Sequence, residues 1–236
     1  MDVAVSRSFN IGSYWEGSVV NRFLRLLRRY NDLELVDLGA NIGTFTLPAA
    51  HITHVVAVEP YSGSMARLFK SVQLGGVEKN VSLVFNAVSN IRSTFGLFVY
   101  SSNIGGTKLK SQQTTTNTTE CRNGSCTSTV LLDDLLPLMR GRRAVMKVDI
   151  EGHQPRVFTN STASKFFDLI DVQLLYMEWS RMCSPWNIRP ELLDLVRFFT
   201  ERHYQVFSPD NRPLGTNNCY SWGGDVIFTK LDISEF

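Results

Sequence analysis

Several things are missing from this sequence, and each absence narrows what the chain can be. No apolar run approaches the roughly 20 residues that span a bilayer, so no membrane-crossing helix is expected. The first residues, MDVAVSRSFNIG, lack the apolar middle of a secretory leader. Net charge is only +2 over 236 residues, too small an excess to argue for nucleic acid or an anionic membrane as partner. No basic stripe with interleaved aromatics is present, and the four arginines of NRFLRLLRRY read as a solvated helix face. Neither G-x-G-x-x-G nor a glycine followed by G-K-S/T occurs, which argues against a dinucleotide fingerprint and a P-loop. The four cysteines form no C-x-x-C pair and have no accompanying histidine pair, so a structural zinc site is not expected. Nor are there internal repeats or a clear second domain.

Two features leave the compartment open. Cys121 and Cys126 flank an Asn-Gly-Ser turn that suits a small disulfide loop, and N-x-S/T patterns occur at Asn80, Asn117, Asn123 and Asn160. Cytoplasmic residence is the default for a chain without a leader. The secretory lumen is the alternative.

What the sequence does contain is alternation. Apolar runs at 34–38, 54–59, 81–88, 94–100, 144–150, 172–179, 204–208 and 225–229 read as strands. Several are nearly continuous in Val, Leu and Ile, the pattern of strands buried on both faces of a parallel sheet. Helical periodicity falls between them, at 18–30, 64–74, 129–139, 154–170 and 189–203. Together they predict an open α/β sheet with helices on both faces and an antiparallel final pair, formed as a single domain over 1–236. Residues 1–33 are expected to form a helical lead-in, and the Thr-rich stretch 101–129 reads as a long surface loop.

Acids gather where such a sheet binds ligands, outside the carboxyl ends of its strands. Asp37, Glu59, Asp149 with Glu151 just beyond it, and Glu178 all end predicted strands. The first strand runs into DLGANIG, where glycines permit a tight turn and a close backbone approach. One crossover later, VEP closes the second strand with a carboxylate suited to the two hydroxyls of a ribose. The pair points to a nucleoside-binding half-fold.

These residues resemble the class I S-adenosylmethionine-dependent methyltransferases and, more narrowly, the FkbM family. The resemblance rests on VDLGANIGTFTL (36–47), AVEP (57–60), NAVSN (86–90), LLDDLLP (131–137), KVDIEGHQPRVF (147–158) and LLYMEW (174–179). It implies a Rossmann-like, mostly parallel seven-stranded sheet with one antiparallel strand near the carboxyl-terminal end. It also implies S-adenosyl-L-methionine as cofactor and O-methylation of a hydroxyl on a small molecule or glycan. By position, Asp37, Gly39, Ala40, Asn41 and Gly43 should line the methionine and ribose end of the cofactor, Glu59 should hold the ribose hydroxyls, and Asn86, Ala87 and Val88 should lie beside the adenine. Glu16 and Ser18 are weaker candidates for the methionine part. A nicotinamide-dependent oxidoreductase and a non-catalytic module of the same fold are the alternatives.

Methyl transfer to an alcohol needs alignment and a base within reach of the hydroxyl. Along AVMKVDI, alternation puts Lys147, Asp149 and Glu151 on one face. Asp149 is the first candidate for contact with donor or acceptor. Glu151 is open between base, metal ligand and helix-terminus charge, and His153 between base and turn residue. Gly152 and Pro155 suit the turn and the helix start. Lys147 needs a carboxylate, with Asp149 or Glu178 available. Asp149 and Glu151, with Glu178 as a third oxygen ligand, could hold a divalent ion, but metal-free catalysis is preferred. Glu178, Trp179 and the segment RMCSPW (181–186) are expected on the acceptor side, with core packing an equal alternative for the aromatics.

Overall fold

The computed structural model describes residues 16–100, 103–113, 121, 125–159, 161–182 and 190–236. Its centre is a seven-stranded sheet of β1 (Leu33–Leu38), β2 (Val55–Val58), β3 (Val81–Val84), β8 (Arg143–Val148), β9 (Asp171–Glu178), β10 (Gln205–Phe207) and β11 (Asp225–Thr229), in the order β10-β11-β9-β8-β1-β2-β3. The pairs β9/β8, β8/β1, β1/β2 and β2/β3 are parallel, whereas β11 runs against both neighbours. The sheet is therefore mixed, with one reversed strand near the carboxyl-terminal end.

Alternation sorts the side chains of each strand into two layers. Val36 and Leu38 of β1, Met146 and Val148 of β8, and Leu175 and Met177 of β9 pack on one face. That face is covered by α4 (Gln154–Val157), α5 (Ser164–Leu169) and α6 (Pro190–Thr200), through Val157, Phe166 and Leu195. Leu33 and Leu35, Val145, and Leu174 with Tyr176 pack on the other. There α1 (Gly17–Arg29), α2 (Thr46–Ala50) and α3 (Ser62–Leu74) cover it, through Phe23, Ala49 and Leu68. Burial on both faces explains the near-continuous apolar runs. No helix among the described residues is long and apolar enough to cross a membrane.

A second sheet holds β4 (Ala87–Val88), β7 (Cys126–Val130), β5 (Thr94–Tyr100) and β6 (Asn103–Gln113), in the order β4-β7-β5-β6. It corrects three expectations. The stretch 101–129 is not simply a loop, because β6 pairs antiparallel with β5, with Leu97 opposite Leu109, and β7 begins at Cys126. A polar edge strand has the composition of a loop, and only its pairing partner distinguishes them. The run 81–88 is two strands in two sheets, broken at Phe85–Asn86. The predicted helix 129–139 starts inside β7 and continues as a 3₁₀ helix, Leu132–Leu138, with Pro137 inside it. Proline removes a donor that a longer helix would need.

The predicted helix 154–170 is likewise two short ones. Between them the Thr159 and Thr162 hydroxyls lie 2.6 Å apart and Thr162 Oγ1 donates to Val157 O, so side chains take over backbone bonding. Cys121 and Cys126 are joined in a disulfide and Cys219 is a buried thiol. Cys183, Asn117, Asn123 and Asn160 lie outside the described residues.

Candidate active site

The crevice opens outside the carboxyl ends of β1, β2 and β8, and β6 forms its far wall. The loop after β1 enters it at Gly39, which takes φ +83°; a β-carbon there would lie 1.8 Å from the Asp149 carbonyl oxygen. Only glycine permits that approach. Asp149 N donates to Leu38 O at 2.9 Å, so the ends of β1 and β8 form one joint.

Glu59, at the end of β2, is buried and lines the crevice. Its Oε2 accepts from Asn41 N at 2.9 Å and its Oε1 from Tyr61 N at 2.8 Å. Burial nevertheless pushes its pKa up to about 7, with those two N–H groups opposing the rise. Each oxygen keeps a lone pair for another donor.

Deeper in, Lys147 lies opposite Asp37 on β1 and opposite Tyr176 on β9. Its Nζ donates to Asp149 Oδ2 at 3.1 Å and to Gly39 O at 3.4 Å. Burial works to lower its pKa, but Asp149, Asp37 and Glu16 outweigh that and raise it. Asp37 is buried and does not line the crevice; its Oδ2 accepts from Thr46 Oγ1 at 2.6 Å and its Oδ1 has no hydrogen-bond partner among the described residues. Burial raises its pKa, with Lys147 and Thr46 pulling the other way.

A second acid group stands beside this one. Asp149, Glu151 and Glu178 each offer a carboxylate oxygen within 4.8 Å of the others. Arg181 Nε reaches Glu151 Oε2 at 3.2 Å and Glu178 Oε1 at 3.3 Å. Asp149 Oδ1 and Glu178 Oε2 are buried without a hydrogen-bond partner of ordinary geometry among the described residues. Burial, and then the charges of Asp149 and Glu151, raise the pKa of Glu178; burial and then Asp149 raise that of Glu151. The donor set is all oxygen, as a hard cation prefers, but a guanidinium already neutralises two of its members.

Five described residues other than glycine have positive φ: Glu16, Asn41, Glu151, His203 and Asn211. The first three line this crevice, and strained backbone concentrates where a site must hold an uncommon geometry. His153 lines it too, its Nε2 2.9 Å from the buried Ser89 Oγ and its ring edge-on to Phe95.

A model of the Methyltransferase FkbM domain matches residues 37–206, from Asp37 on β1 through β10. The chain belongs to the FkbM methyltransferase family. No curated protein matches the sequence significantly. Among solved structures, an FkbM methyltransferase from Methylobacillus flagellatus KT is similar over 84% of this chain at 14% identity, with a TM-score of 0.51. This chain spans 44% of that protein's length. Magnesium protoporphyrin IX methyltransferase from Synechocystis PCC 6803, solved with bound SAM, is similar over 97% of this chain and 83% of its own, at 11% identity and a TM-score of 0.49.

In this FkbM domain the expected residues divide. Gly39, Ala40, Asn41, Glu59, Asn86, Ala87, Val88, Asp149, Glu151 and His153 all line one crevice. Ala87 and Val88 reach it from β4 of the second sheet, and Asn86 from the link before β4, and not from the end of the third strand of the first, because the chain changes sheets there. Gly43 lies against Leu47 and Leu68 in a neighbouring hollow, where a β-carbon would come within 2.7 Å of Leu68. Trp179 is a correction. It has no exposed surface, donates from Nε1 to Cys219 O at 2.9 Å and packs on Trp222, so it cannot touch an acceptor. Residues 183–186 of the expected acceptor segment lie outside the described residues.

Sequence reasoning missed Ile104, Thr107, Lys108 and Leu109 of β6, which line the crevice from a stretch taken for a loop. Asp225, which begins the reversed strand, is not among the crevice-lining residues; its Oδ2 accepts from Tyr176 Oη at 2.9 Å.

Proposed function

We propose that this FkbM domain transfers a methyl group from S-adenosylmethionine to a hydroxyl of a small molecule or glycan. The observation that carries the proposal is the buried Glu59 carboxylate, lining the same crevice as the Gly39–Asn41 loop and Asp149. The residues fit the cofactor. Glu59 would accept from the ribose hydroxyls, Ala40 and Asn41 would face the nucleoside, and Asn86 to Val88 would flank the base. Bound S-adenosylmethionine supplies an electrophilic methyl on a sulfonium.

The chain's own residues supply the rest. Lys147 holds the Asp149 carboxylate at the crevice, where it would receive the acceptor's hydroxyl proton. Ser89 fixes the His153 ring at the crevice wall. Lys147 offsets part of the charge of Asp37, Glu16 and Asp149, so these acids stay near a cationic ligand without opening the fold.

Calorimetric titration with S-adenosylmethionine tests the cofactor. Binding is expected, weakened at least about ten-fold in Glu59→Ala through loss of a charged hydrogen-bond acceptor. A protein that does not bind, or a variant that binds equally well, defeats the proposal. Labelled-methyl transfer to a panel of hydroxy compounds then tests Asp149. Asp149→Asn should keep cofactor affinity and lose turnover by about 10²-fold or more.

A further inference from the structure

Glu59, at the end of β2, and Asp149 and Glu151, just beyond β8, line one side of the crevice together with Lys147, whereas β6 brings a second lysine, Lys108, to the far wall. Lys108 Nζ lies 5.7 Å from the centre of the Tyr100 ring, within cation–π range. Among the described residues no carboxylate forms an ion pair with it, in contrast to Lys147 and Arg181. Its field still reaches the crevice, where it acts to lower the pKa of Glu151. A ligand between the walls therefore meets proton acceptors on one side and, on the other, an ammonium that no carboxylate of the described residues pairs with.

Building on the methyltransferase proposal, we infer that the methyl acceptor carries an anionic group, a carboxylate or a phosphate, and that Lys108 binds this group while the acceptor hydroxyl faces Asp149. Two-point attachment of this kind sets which hydroxyl is presented, the orientation on which transfer depends. Tyr100 is a positioning residue in this arrangement, because its ring holds the Lys108 ammonium at the wall. Its partner on the neighbouring rung, Lys110 over Phe98 at 5.2 Å, extends the same cation-on-ring pattern along the hairpin.

The experiment uses labelled S-adenosylmethionine and matched acceptor pairs: methyl glucoside with glucuronate, glucose with glucose 6-phosphate, and 4-hydroxybenzyl alcohol with 4-hydroxybenzoate. The acidic member of a pair is expected to be methylated preferentially. Lys108→Ala should raise KM for it by roughly ten-fold or more, the loss of one charge-assisted contact, with kcat and cofactor affinity little changed. Lys108→Glu should abolish the preference. Tyr100→Ala should raise the same KM while Tyr100→Phe restores it, since the ring is what matters. Equal use of both members, turnover confined to neutral members, no turnover of any acidic member, or a preference untouched by Lys108→Glu would each overturn the inference. Carboxylate and phosphate pairs separate the two sources of charge. Failure to bind S-adenosylmethionine is a different outcome and defeats the underlying methyltransferase proposal. Lys108 is exposed, so its variants should keep the wild-type melting temperature, which is measured alongside.

Discussion

Glu59 shows how one side chain can tie binding to pH. Its folded pKa is about 7, raised chiefly by burial from an ordinary 4.5. Between those values the folded chain keeps a proton that the unfolded chain releases. The fold's stability from this group is therefore fully present below about 4.5 and falls as pH rises through about 7. For the proposed ribose contact, ligand binding runs the other way, because only the carboxylate accepts from two hydroxyls. Affinity for S-adenosylmethionine should climb between pH 6 and 8 about a midpoint near 7, and Glu59→Gln should bind weakly with no such climb. Calorimetry across that range decides it; a flat wild-type profile removes Glu59 from the ribose contact. At this scale the sequence was informative where chemistry is local. An acid after a Val-rich strand, or a glycine before a helix, announces itself. Trp179 did not, since an aromatic after a strand looks the same whether it faces a ligand or the core.

Strand β8 presents the cost of placing charge inside a sheet. Lys147 is buried, with Asp37 and Asp149 within its reach from β1 and its own strand. Removing it leaves those carboxylates without their cation. Lys147→Met should destabilise the fold by about 3–5 kcal/mol, the range for breaking a buried pair by deleting one partner, measured by urea denaturation. A change under about 1 kcal/mol would mean the acids take up protons instead. The strands of the large sheet were legible because burial on both faces leaves an unbroken apolar signature. Strand β6 was not, because an edge strand half-covered by its partner can be Thr- and Lys-rich throughout. The helix break at 159–162 was written in threonine, but helical periodicity on either side overrode it.

For the whole molecule, the two apolar layers carry the stability and the crevice sits at their rim. Trp179 belongs to the first layer, packed on Trp222 and Phe228. Trp179→Ala should destabilise the protein by about 3–5 kcal/mol through lost contacts and a cavity, seen as a lowered denaturation midpoint. A variant of undiminished stability but lost turnover would return Trp179 to the acceptor site. Sheet order was not legible, since nothing in a strand's residues tells it which neighbour to choose; the family resemblance implied only a mostly parallel seven-stranded sheet with one antiparallel strand. That order has a consequence for synthesis. Strand β11 lies between β9 and β10, although it is made after both. Until residues 225–229 leave the ribosome, β9 has a bare edge and β10 has no partner in the sheet. The large sheet therefore closes late and from within, and a nascent chain halted at 220 should present an open strand edge that chaperones or a second nascent chain can capture.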